Sequence, residues 1–168
     1  MSPGSSALNI EIINDGKIAN IPDKYNVVKA LLKSLDITHN CSICIKYVSL
    51  SEMKKINQEY KKKNKPTNVL SFQGYKYSQE KGEEMEHLGD LVLCPDYIDK
   101  EARINQLDID KHWVHMLVHG VLHLLGYDHE FESEALTMEA KEINILSKLG
   151  YSNPYIHTYI HTLNEQIK

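Results

Sequence analysis

Arginine is almost missing from this chain. Arg103 is the only one among 19 basic residues, the rest are lysine, and the acidic residues outnumber them to leave a formal net charge of −4. Proteins that coat nucleic acid by bulk electrostatics carry a strong positive excess, so the balance argues against that class and any contact with a polyanion must be local. Cysteine is scarce as well: Cys41, Cys44 and Cys94 are an odd and small set that gives no disulfide framework, and reduced thiols are expected. No apolar run approaches the roughly 20 residues needed to cross a bilayer. The start, MSPGSSALNIEI, lacks the basic-then-apolar layout of a secretory signal. A cytoplasmic protein without membrane association is expected.

What is present describes an ordinary globular protein. The 168 residues, 42% hydrophobic and 25% charged, suit a single domain around one core, with 1–7 flexible and 152–168 as a C-terminal tail. Residues 8–13 (LNIEII) alternate in the strand period before the turn chemistry of Asn14, Asp15 and Gly16. From Asp23 to Leu35 apolar residues recur at helical spacing, with Asp23 as the expected cap. A second strand is predicted over 42–49, then a helix opening at Ser51 and Glu52 and carrying Met53, Ile56 and Tyr60. A short strand follows over 69–72 (VLSF), then a long exposed connection over 73–86 and a strand over 88–94 (LGDLVLC). The last two strands can pair antiparallel, which makes the sheet mixed. Helices are predicted over Pro95–Asn105, Ile109–Leu125 and Ser133–Leu149, the last ended by Gly150. The tail carries Ile156, Tyr159, Ile160 and Leu163, enough for a short extra helix or a loose end. The class is α+β: a small mixed four-stranded sheet packed against about five helices.

The helix over 109–125 carries the chemistry. Val114, Leu117, Val118, Val121, Leu124 and Leu125 form its core face, and His112, His115, His119 and His123 fall on the opposite stripe. A single histidine at His112 or His115 reads as a hydrogen-bonded structural residue. His119 and His123, four apart, can bring two ring nitrogens to one ion. Gly126 then suits a left-handed turn that brings His129 in as third ligand. Three imidazoles suit one Zn2+ per chain and leave a fourth position open, as in a catalytic rather than a structural site. The rival pair Cys41 and Cys44 lies in a predicted strand whose alternation sends the two sulfurs to opposite faces. The spacing also matches the metzincin peptidase motif HExxHxxGxxH, but Gly120 stands where the glutamate that activates water belongs.

Taken together, HGVLHLLGYDH, NKPTNVLSF (64–72) and LGDLVLC (88–94) resemble the YbeY family of bacterial rRNA-maturation endoribonucleases, from the first strand to about Gly150. The resemblance implies a zinc-dependent, single-strand-specific endoribonuclease acting in small-subunit (16S) rRNA 3′-end maturation and ribosome quality control. Its implied partners are ribosomal RNA, the small subunit and its assembly proteins. Carried onto this chain, the family's metal ligands fall on His119, His123 and His129, and its basic groove residue on Lys61. Lysine there replaces the family's usual arginine and supplies charge without a bidentate fork, which Lys62, Lys63 and Lys65 can offset. Gln73 stands where the family has proline.

The ordinary reading of such a lysine run is a solvated face. With no glutamate at position 120, Asp128 and His115 are the candidate general bases by proximity, although Asp128 also suits a role orienting a ligand or capping the next helix. Ser71 and Asn68 are candidate phosphate ligands or sheet-terminating hydrogen-bonders. Two other functions stay open: a non-catalytic assembly factor stabilised by zinc, and a metzincin-like peptidase.

Overall fold

The computed structural model describes residues 8–78, 82–128 and 131–156. Four strands form one sheet in the order β1-β2-β4-β3: β1 (Leu8–Ile13), β2 (Cys41–Tyr47), β3 (Val69–Ser78) and β4 (Glu84–Leu93). β1 pairs parallel with β2, and β2 with β4, while β3 runs antiparallel to β4 at the edge. Five helices are seen among the described residues: α1 (Tyr25–Ser34), α2 (Leu50–Lys61), α3 (Pro95–Ile104), α4 (Ile109–Leu124) and α5 (Glu132–Lys148). The α+β class, the mixed four-stranded sheet and the helix count are as the sequence implies.

Burial follows the strand period in β2, where Cys41, Ile43, Ile45 and Tyr47 point inward and Ser42, Cys44 and Lys46 outward. The two nearer cysteines therefore face opposite ways, and all three thiols are free. α4 lies across the sheet. Leu91 and Leu93 of β4 and Leu117, Val118 and Val121 of α4 belong to one buried cluster with Leu31 and Leu32 of α1 and Ile145 and Leu146 of α5. Each such side chain, taken fully out of water, contributes about 1.5–3 kcal/mol. A smaller cluster on the other face of the sheet, containing Leu70, Val92 and Met53, seats α2.

The structure corrects three expectations. The 73–86 stretch is largely strand: β3 runs on to Ser78 and β4 begins at Glu84. At the sheet edge β3 has a partner on one side only and much of its outer half is exposed, so polar residues replace the apolar alternation that would mark it. Helix α1 starts at Tyr25 behind Lys24, and Asp23 accepts the Tyr25 N–H one position earlier than a cap would sit. Helix α2 opens at Leu50, where Ser49 caps it by accepting the Glu52 N–H. Along the histidine stripe of α4 pack α3 and α5, and His112 is buried. Expectations for 1–7, for His129 and for Tyr159, Ile160 and Leu163 concern positions outside the described residues.

Candidate active site

α4 begins at Asp108, whose side chain accepts the Lys111 N–H, and ends where Gly126 takes a φ of 96°. The Tyr127 N–H donates to the Leu122 carbonyl and the Gly126 N–H to the His123 carbonyl, closing the helix in the manner of a Schellman motif. The turn that the sequence assigns to Gly126 is thus present. At the level of the last two turns, the Nε2 atoms of His119 and His123 come within 3.1 Å of each other. Two nitrogens bound tetrahedrally to one zinc at about 2.0–2.1 Å would stand ~3.3 Å apart, so the pair fits a shared ion. Neutral imidazoles suit such an ion in donor chemistry as well. Among the described residues no three His, Cys, Asp or Glu side chains form a metal cluster, and His129, the expected third ligand, lies outside them.

Behind the pair stands a carboxylate. Glu142 of α5, almost wholly buried, places Oε1 2.8 Å from Nδ1 of His119 and Oε2 2.5 Å from Nε2 of His115. The Tyr155 hydroxyl donates to the same Oε2 at 2.6 Å. Burial by itself raises this carboxyl, but the hydrogen bonds from His115, His119 and Tyr155 outweigh it and hold it at about 2. An ionised carboxylate only accepts, so each facing nitrogen carries the proton. Burial, and then the bond to Glu142, push the Tyr155 phenol up, which keeps it a donor.

The histidine pair opens onto a cleft of about 750 Å³. Lys61, Lys63 and Lys65 line this cleft together with residues 66–71 and Gln73, and with Gly126, Tyr127 and Asp128. The lysine run reaches it because Lys62 adopts a left-handed φ of 59° at the end of α2. Buried Asn57 then pins the loop, accepting the Lys63 N–H on its carbonyl and donating its amide to the Lys65 carbonyl. Lys62 itself turns away and donates to the Glu59 carbonyl.

The expected site residues therefore divide. Lys61, His119, His123 and Asp128 share one cleft. His115 is not on its wall and lies instead against Glu142. Asp128 lines the cleft, while α5 starts behind Phe131 with no side-chain cap. Ser71 and Asn68 are both engaged in structure: the Ser71 hydroxyl donates to the Gly120 carbonyl at 2.9 Å, and the Asn68 amide donates to Glu101, which also holds His112 at 2.6 Å. Gly120 faces the sheet, where an added Cβ would stand 3.0 Å from Leu91 Cδ2 and 3.2 Å from Val69 Cγ2. A glutamate there would have to push these side chains aside.

Sequence reasoning missed Glu142 and Asn57. Each left a legible mark. Glu142 shares the buried stripe of α5 with Met138, Ile145 and Leu146, and Asn57 follows buried Met53 by one turn of α2. A polar residue in register with an apolar stripe must find partners inside.

Fold and cleft together define a class: an α+β protein whose helix-borne histidine pair forms one side of a lysine-lined cleft, suited to a divalent cation and an anionic substrate. Residues 11–150 match the family model described as Endoribonuclease YbeY. The Endoribonuclease YbeY of Francisella tularensis subsp. novicida (strain U112) is 38% identical over 153 residues, which span 89% of this chain and 93% of that protein. The Endoribonuclease YbeY of Buchnera aphidicola subsp. Baizongia pistaciae (strain Bp) is 36% identical over 152 residues, covering 89% and 96%. The chain belongs to the endoribonuclease YbeY family. The solution structure of TM1509 from Thermotoga maritima covers 83% of this chain and 91% of its own, with a TM-score of 0.51 and 23% identity, a likeness of fold.

Proposed function

We propose that the protein is a zinc-dependent endoribonuclease that cuts single-stranded RNA, with small-subunit rRNA as its substrate in the cytoplasm and the small ribosomal subunit as its partner. One observation carries the reading: the His119 and His123 pair, with its two Nε2 atoms 3.1 Å apart, lines the same cleft as Lys61, Lys63 and Lys65. Membership of the endoribonuclease family supports the reaction, and the motif resemblance set out above supports ribosomal RNA as the substrate. No helix among the described residues is long and apolar enough to cross a membrane.

His119 and His123 would hold the ion together with His129. Zinc in that place would supply Lewis-acid polarisation of a phosphate oxygen. Lys61, Lys63 and Lys65 neutralise backbone charge and set the register of the strand, as phosphate contacts do. Asp128, on the cleft wall, is within reach of a bound substrate and is the candidate proton acceptor. His115 acts from behind, through Glu142. Peptide hydrolysis lacks its base, because position 120 is closed off by the sheet.

The test is a time course with one RNA sequence offered as single strand and as duplex, beside an unfolded protein substrate. Cutting of the single strand alone is expected. Binding of the RNA without any cutting would favour an assembly factor, and digestion of the unfolded protein a peptidase.

A further inference from the structure

Beyond the direct ligands, we infer that Glu142 is the positioning residue of this site: through Oε1 it fixes the tautomer and ring orientation of His119, so that the Nε2 lone pair faces His123 and a bound ion. The inference rests on the zinc reading above.

The geometry offers few other roles for this side chain. A carboxylate with a side-chain exposure of 1% is costly unless its lone pairs are filled, and three donors fill them: His119 Nδ1, His115 Nε2 and the Tyr155 hydroxyl. Two of these come from successive turns of α4, and the third from the segment after α5. The ring of His119 is therefore held from one side by α5, with His115 and Tyr155 keeping the carboxylate from rotating away. A neutral imidazole that donates from Nδ1 carries its lone pair on Nε2, the atom that approaches His123 at 3.1 Å. Buttressing of a ligating histidine by a carboxylate orients the ring and raises its basicity as a ligand. His115, a candidate general base by its proximity on the helix, acts here as a clamp on the carboxylate.

A merely structural Glu142 would tie α5 to α4 and nothing more. The two roles separate in a zinc titration of the folded full-length chain against a competing chelator dye. Glu142→Gln keeps the side chain's size but replaces the anion with a neutral amide. It is expected to remain folded and to bind zinc about 10- to 100-fold more weakly. Tyr155→Phe, which leaves the Oε1 bond intact, should cost far less. Equal zinc affinity in wild type and folded Glu142→Gln overturns the inference while leaving the zinc reading standing. Wild-type protein that binds no zinc overturns the zinc reading itself.

Should Glu142→Gln fail to fold, nitrogen-15 NMR of the metal-free wild type decides the matter. Protonation of His119 at Nδ1 is expected, and protonation at Nε2 overturns the role given to Glu142.

Discussion

The Ser71 hydroxyl donates to the Gly120 carbonyl across 2.9 Å, tying the edge strand β3 to the middle of the histidine helix α4. The contact needs a close approach of strand and helix, and Gly120 permits it by having no side chain between Leu91 and Val69. Two effects compete in Gly120→Ala. Better helix propensity gives back about 1 kcal/mol, and crowding of the core costs about 1–3 kcal/mol. A net loss of up to about 2 kcal/mol is expected from urea denaturation, whereas Gly120→Glu should prevent folding and create no peptidase.

The lysines can be separated by where they point. Lys61, Lys63 and Lys65 line the cleft and Lys62 does not. If each of the three contacts one phosphate, replacing all three by alanine should reduce the slope of log affinity for single-stranded RNA against log salt by ~2. Lys62→Ala should leave the slope unchanged. Fluorescence anisotropy at several salt concentrations measures both.

Much of this was legible in the chain, for reasons that differ between elements. The i and i+4 spacing of His119 and His123 and the glycine at 126 report directly on a helix end, because helical geometry alone sets which side chains meet. β2 was equally plain, since one buried face imposes alternation. The outer halves of β3 and β4 were not: Lys76, Ser78, Glu84 and Glu86 stand on an exposed hairpin where no core selects the pattern. Glu142 stayed hidden for another reason. Its histidine partners lie 23 and 27 residues upstream, and no local spacing joins α5 to α4.

Acid stability offers an independent check on the network beside the site. The hydrogen bond with His112 lowers the Glu101 carboxyl, burial opposes it, and the Asn68 amide lowers it further. A group depressed on folding contributes stability above its unfolded pKa, about 4.3 for glutamate, and loses it as pH falls through the folded value. The stability that the Glu101 carboxylate contributes relative to Glu101→Gln should thus be present at pH ~5 and shrink below ~4. Chemical denaturation across that range measures it.

His123 separates ligand from scaffold. Its ring opens onto the cleft and its Nε2 faces His119 rather than the core. His123→Ala is expected to stay folded, with a melting temperature close to that of the metal-free wild type, and to lose zinc affinity and RNA cleavage by on the order of a hundredfold or more. Calorimetry on the chelated proteins, with cleavage assayed in parallel, provides the comparison.

The most direct measurement is a zinc add-back. Protein stripped by chelator and dialysed free of it is titrated with zinc while cleavage of a single-stranded RNA is followed. Activity should be absent at the start and rise in proportion to added metal, levelling at about one ion per chain. Full cutting by the stripped protein, with metal analysis reading zero, would contradict a metal-dependent nuclease at His119 and His123.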